Sequence, residues 1–165
     1  MHSIKVCIQF KFDSHSSLLL IRTTEKTTPM SSALDILHRC GIRPSHQRLT
    51  VLSFLLEHRD HSSADRIYEE LHREMPVISR TTVYNTLRLF KDAGVVQTLS
   101  IGTNPLIFDA DTSPHAHLYC RRCHSVTDIP VQPADWKRLS DYGGPYGTHM
   151  QVIFDGICDK CSRHS

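Results

Sequence analysis

The chain has 165 residues, a formal net charge of +2, 22% charged and 39% hydrophobic residues. That is an ordinary soluble composition with room for one medium domain or two small ones, and the charge singles out no class of partner. The longest apolar run near the start, Leu18 to Ile21, is too short for a signal-peptide core or a membrane span. A cytoplasmic protein with no membrane partner is therefore expected. Its six cysteines then point to metal binding more than to disulfides.

Residues 1–30 are rich in Ser and Thr, close on Pro29 and Met30, and are expected to form a disordered extension. A start at Met30 and a short strand in "KVCIQFKF" are the alternatives, and Cys7 has no nearby partner. From Ser31 the pattern turns helical. Ser31 is the expected cap of a first helix carrying Leu34, Leu37 and Cys40 and stopping at Gly41. Ser45 caps a second, with Leu49, Leu52, Leu55 and Leu56. Ser63 caps a third, with Ile67, Tyr68 and Leu71, ended before Pro76. Ser79 caps a fourth, with Val83, Leu87 and Phe90, and Gly94 lies past its end. Val95–Ser100 and Leu106–Phe108 read as a hairpin around Gly102-Thr103-Asn104. Helices followed by a small hairpin are the plan of a winged helix-turn-helix, here placed over residues 31–110.

Residues 111–165 have a different texture. Strands are expected near 115–120, 125–131 and 149–154, with a short helix from Pro133 to about Asp141 and a loop at "DYGGPYG". The expected fold class is α+β: an N-terminal winged helix followed by a small α+β domain. A core of that size needs a staple.

The stretch "HAHLYCRRC" supplies ligands of two kinds. Alternate strand residues share a face, so His115 and His117 point one way and Cys120 the other. The knuckles Cys120-x-x-Cys123 and Cys158-x-x-Cys161 complete a tetrahedral four-sulfur site without a histidine, which suits structural zinc. The histidines are left for a second site.

The fourth helix offers Arg80, Thr82, Tyr84, Asn85, Arg88 and Lys91 on its polar face. These types suit phosphates and base edges, although such a helix is also an ordinary solvated one. Bulk charge does not help, because residues 30–110 hold nine Lys and Arg against nine Asp and Glu.

Five segments in order, "GIRPSHQRLTVL", "HSSADRIYEEL", "ISRTTVYNTLRLFKDAGVV", "HAHLYCRRCHSVTDI" and "GICDKC", resemble the ferric-uptake-regulator family of metal-dependent transcription factors. The resemblance covers the chain from about Ser31 onward. It implies a homodimer of two-domain subunits that binds double-stranded DNA at an AT-rich inverted repeat. It also implies a structural zinc at Cys120, Cys123, Cys158 and Cys161. Residue by residue, His61, Asp109, His115, His117 and Asp128 match the family's regulatory site, where three imidazoles and two carboxylates suit iron(II), manganese(II) or zinc, with iron(II) or manganese(II) expected as the regulatory ion. His61 belongs to the DNA-binding part and Asp109 to the hinge, so an ion held by all five would draw the parts together. A third site known in some relatives would need ligands where this chain has Pro114 and Ala116, and is expected to be absent.

Two details resemble the peroxide-sensing branch: Asn85 in the fourth helix, and aspartates rather than glutamates at 109 and 128. That branch implies oxidation at His61 and His115. An iron-uptake repressor, or a zinc or manganese sensor, is the alternative. An enzyme is not expected: the only His-x-Glu is His72-Arg73-Glu74, and neither knuckle follows a proline as in a zinc deaminase. A purely structural zinc module would explain the cysteines but neither the five-residue set nor the fourth helix.

Overall fold

A computed structural model describes residues 29–101, 105–143 and 150–163. The expectations for residues 1–28, the hairpin tip at 102–104 and most of the Gly-rich loop fall outside the described residues. The elements are α1 (Pro29–Arg39), α2 (His46–His58), β1 (Ser62–Ser63), α3 (Ala64–Glu74), α4 (Arg80–Asp92), β2 (Gln97–Leu99), β3 (Ile107–Asp109), β4 (His115–Cys120), β5 (Val126–Pro130), α5 (Pro133–Tyr142), β6 (Ile153–Gly156) and α6 (Asp159–Ser162).

Helices α1 to α4 enclose the main core. Leu37, Val51, Leu52, Ile67, Leu71, Val83, Leu87 and Phe90 are at most 2% exposed, and they fall at helical spacing along each segment. Three of the four expected caps form: Ser45, Ser63 and Ser79 each accept a hydrogen bond from the backbone N–H three residues on. Ser31 does not cap α1, which begins two residues earlier at Pro29. Proline is at ease in the first helical turn, where its missing N–H would have no partner. Gly41, at φ +67°, ends that helix as expected.

Behind α4 the chain runs into a three-stranded sheet of order β1-β3-β2. The hairpin strands are shorter than expected because Val95 donates its N–H to Phe90 O and stays with the helix end. The two-residue strand β1 was not anticipated. It pairs antiparallel with β3 through Ser62↔Phe108 and Ser63↔Ile107, and that register carries His61 level with Asp109.

The second sheet has the order β5-β4-β6, with β4 antiparallel to β5 and parallel to β6. Strand β6 begins at Ile153, later than the expected 149. This part has little core of its own. Helix α5 buries no residue, and Tyr142, Phe154, Ile157 and Leu139 are 89%, 53%, 49% and 41% exposed.

Two candidate metal centres

Strand β4 supplies both centres. Its buried residues are His115, Ala116 and His117 at one end and Cys120 at the other. The first side-chain cluster is His61, Asp109, His115, His117 and Asp128, whose ligand atoms all lie within 4.8 Å of one another. The second is Cys120, Cys123, Cys158 and Cys161, within the same limit. The parity of "HAHLYC" therefore separates two sites, as expected.

In the first cluster three ring nitrogens face inward. His115 Nε2 is 2.9 Å from His117 Nε2 and 3.2 Å from Asp109 Oδ2. His61 Nε2 is 2.8 Å from Asp128 Oδ1 and 3.9 Å from Asp109 Oδ2. His115 Nδ1 donates to Ser113 O at 2.8 Å, which leaves the Nε2 lone pair aimed at the centre. His61 Nε2 is buried and, although 2.8 Å from Asp128 Oδ1, lacks hydrogen-bond geometry; at His117 it is the nitrogen turned away from the cluster, Nδ1, that has no hydrogen-bond partner. A buried polar atom without a partner costs about 1–3 kcal/mol. A cation is the group that would satisfy several inward lone pairs together, so the donor set fits a divalent first-row metal.

His61 itself sits at φ +54° and Arg59 at φ +34°. Side chains other than glycine seldom adopt this region. The tight turn from α2 into β1 aims the His61 imidazole at the second sheet. Burial alone would raise the Asp109 carboxyl. Hydrogen bonds from His117, the Asp111 N–H and Gln97, with the nearby His61, outweigh that and hold it below its ordinary 3.8.

In the second cluster Cys123 Sγ and Cys158 Sγ are 3.7 Å apart. Four sulfurs about 2.3 Å from a tetrahedral zinc would be separated by about 3.8 Å, so the spacing fits. The thiols also divide in acidity. Hydrogen bonds from the backbone at Cys158 and Cys123 bring Cys120 down to about 6. Its neighbour Cys161 is pushed up to about 12, first by its contact with Cys123, then by burial and the other two sulfurs. Four thiolates this close repel, and a dication is what lets all ionise together. The short helix α6 carries Cys161 back to Cys158, and Arg122 braces it by donating to Cys161 O at 2.8 Å.

On α4, Arg80, Tyr84, Asn85, Arg88 and Lys91 are exposed and Thr82 is half-buried. Two of these side chains are already engaged. Thr82 Oγ1 shares a 2.8 Å hydrogen bond with Ser79 Oγ. Arg80 pairs with Asp65 and lies over the Tyr68 ring at 4.6 Å. Tyr84, Asn85 and Lys91 point away from the core, and Arg88 makes only a loose 3.9 Å contact with Asp92.

The family model described as "Ferric uptake regulator family" matches residues 39–139. The chain is similar to the peroxide-responsive repressor PerR of Staphylococcus aureus strain Mu50, at 34% identity over 134 residues, covering 80% of this chain and 90% of the relative. Among solved structures it is similar to the Vibrio cholerae ferric uptake regulator, with a TM-score of 0.61, 26% identity, and 75% and 98% of the two chains covered. It is also similar to the Campylobacter jejuni peroxide stress regulator, with a TM-score of 0.60, 25% identity, and 80% and 98% covered. The helical core, the two sheets and the two side-chain clusters agree with these likenesses: the chain belongs to the ferric uptake regulator family, whose members are metal-responsive transcription regulators.

Proposed function

We propose that this metal-responsive regulator is a peroxide-responsive, DNA-binding repressor. Residues 31–110 serve as its DNA-binding domain and residues 111–165 as its metal-binding dimerisation domain. The observation that carries the reading is the five-residue cluster, which draws on both parts of the chain: His61 from the turn into β1, Asp109 from β3, and His115, His117 and Asp128 from β4 and β5. The relative at 34% identity is named a peroxide-responsive repressor.

The cluster would hold iron(II) or manganese(II), and the four cysteines a structural zinc(II). Iron(II) there supplies a one-electron reductant for hydrogen peroxide; manganese(II) supplies the same charge without that reaction. The rest is done by the chain. His61 and His115 place oxidisable imidazoles at the centre, and oxygen added to either ring makes it a poorer donor. With His61 no longer engaged, the tie between the DNA-binding and dimerisation parts weakens, and the closed arrangement loses its advantage. In that arrangement a homodimer would present two α4 helices to successive major grooves of an AT-rich inverted repeat. Helix α5, which buries no residue and carries Tyr142, together with Phe154 of β6, is the surface on which a second copy would pack. None of these roles calls for a turned-over substrate, so the chain acts as a regulator and not an enzyme, in the cytoplasm.

The test is peptide mass mapping after brief peroxide exposure of iron-loaded and manganese-loaded protein. Oxygen on His61 or His115 in the iron form alone is expected. Unmodified histidines with unchanged operator binding would leave the iron-uptake reading in front.

A further inference from the structure

One uncharged side chain outside the five-residue cluster is aimed at it. Gln97 on β2 is the cross-strand partner of Asp109 on β3. Opposed residues of an antiparallel pair project to the same face, so the amide reaches the carboxylate. Gln97 Nε2 donates to Asp109 Oδ2 at 2.8 Å and to Asp111 O at 2.6 Å. An amide NH2 has two protons, and both are thereby used. The other carboxylate oxygen, Asp109 Oδ1, accepts the Asp111 N–H at 2.8 Å. Asp109 is therefore pinned at both oxygens. Only Oδ2 faces the imidazoles, at 3.2 Å from His115 and 3.6 Å from His117.

We propose that Gln97 is a positioning residue of the regulatory metal centre, fixing Asp109 so that it offers one oxygen, Oδ2, to a divalent first-row cation. The inference rests on the proposed reading of the cluster as a metal site. The chemistry suits the place. A neutral donor restrains a carboxylate without adding positive charge beside a cation. Turning Asp109 to offer both oxygens would break the bonds from Gln97 and from the Asp111 N–H. Gln97 also joins the centre to the wing, because the strand that carries it is the first strand of the β2–β3 hairpin.

Gln97→Met keeps the length of the side chain and removes both donors. The variant is compared with wild type and with His117→Ala, all as full-length protein with zinc content checked. Manganese(II) affinity is read from the electron paramagnetic resonance of the free ion, and coordination from the visible spectrum of cobalt(II)-loaded protein. Gln97→Met should weaken manganese(II) binding about tenfold or more, the loss typical of removing an outer partner of a metal ligand. Its cobalt(II) bands should change as Asp109 Oδ2, no longer held by the Gln97 amide, shifts relative to the imidazoles. Unchanged affinity and spectrum in Gln97→Met, with binding lost in His117→Ala, would overturn the role of Gln97 alone. Undiminished binding in His117→Ala would overturn the metal-centre reading itself. Should Gln97→Met fail to fold, the wild-type chain still decides. The Gln97 side-chain amide protons should shift when zinc(II) is added beyond the cysteine-bound ion and fills the five-residue centre, and resonances that stay in place would refute the proposal.

Discussion

His61 Nε2 and Asp128 Oδ1 lie 2.8 Å apart, and through them the β1-β3-β2 sheet meets the β5-β4-β6 sheet. One imidazole beside one carboxylate holds two sheets together weakly. A cation shared by both residues and their three neighbours would hold them far more strongly. Binding and closure are then linked in both directions: whatever closes the cluster tightens the ion, and the ion favours closure. The Gln151 side-chain amide, donating to Thr98 O on β2, is a second polar tie between the parts that does not depend on the cluster.

Two histidine substitutions should therefore differ in kind. His117→Ala removes a buried donor, 2% exposed, that lies on the same strand as His115. It should abolish regulatory-metal binding while keeping the cysteine-bound zinc. His61→Ala leaves four residues of the cluster in place and removes its one residue from before α3. Metal binding should weaken but persist, while metal-dependent affinity for operator DNA is lost. Titration with manganese(II) followed by a gel shift at saturating metal checks this. Metal-dependent DNA binding by His61→Ala at wild-type strength would refute the clamp.

Cys123→Ser should lose zinc and weaken dimerisation. Cys120, Cys158 and Cys161 remain, but three sulfurs leave one corner of the tetrahedral site open, and a closed site that loses one ligand holds zinc far less tightly. The few buried side chains of β4 to β6 cannot compensate, since structural zinc supplies folding energy directly. Zinc analysis with sedimentation equilibrium is the measurement, and a zinc-free variant that dimerises as wild type would contradict it.

How far the sequence reached depended on periodicity. The four helices announce themselves through apolar spacing and Ser caps, and the two centres through the alternation in "HAHLYC". Strand β1 has no pattern to detect, being two serines that pair only because β3 lies beside them. Arg80 reads as a free cation on a polar helix face, yet Asp65 and Tyr68 on α3 hold it, and that partnership exists only after folding. Gln97 escaped for the same reason: its role comes from the register with Asp109. Ser31 is of a favoured cap type, but α1 already begins at Pro29, which places Ser31 inside the helix.

The exposed apolar side chains of the C-terminal part give a dimerisation test. Tyr142 and Phe154 are 89% and 53% exposed in the single chain. As anchors of an interface between two copies, each truncation to Ala should cost about 2 kcal/mol, or about thirtyfold in dimer dissociation. The zinc content should stay unchanged. Sedimentation at graded concentration reads the effect, and dimers of undiminished stability in both variants would place the interface elsewhere.

The residues proposed to read DNA can be sorted by what already occupies them. Asn85 is exposed on α4 with a side chain able to pair bidentately with adenine, a contact worth about 1–3 kcal/mol of discrimination. Asn85→Ala should therefore relax sequence preference while leaving binding to random DNA nearly unchanged. Lys91, exposed in the last turn, is the proposed phosphate contact. Lys91→Ala should weaken binding to all sequences alike and reduce the slope of log affinity against log salt by about 0.9. Arg80 is committed to Asp65 and Tyr68. Its loss should act first on the α3–α4 packing, and only a modest effect is expected from an exposed pair. Salt-graded binding isotherms on operator and random duplexes separate the three. Equal losses on both duplexes for Asn85→Ala would remove its role in base reading, and an unaltered salt slope for Lys91→Ala would remove its phosphate contact.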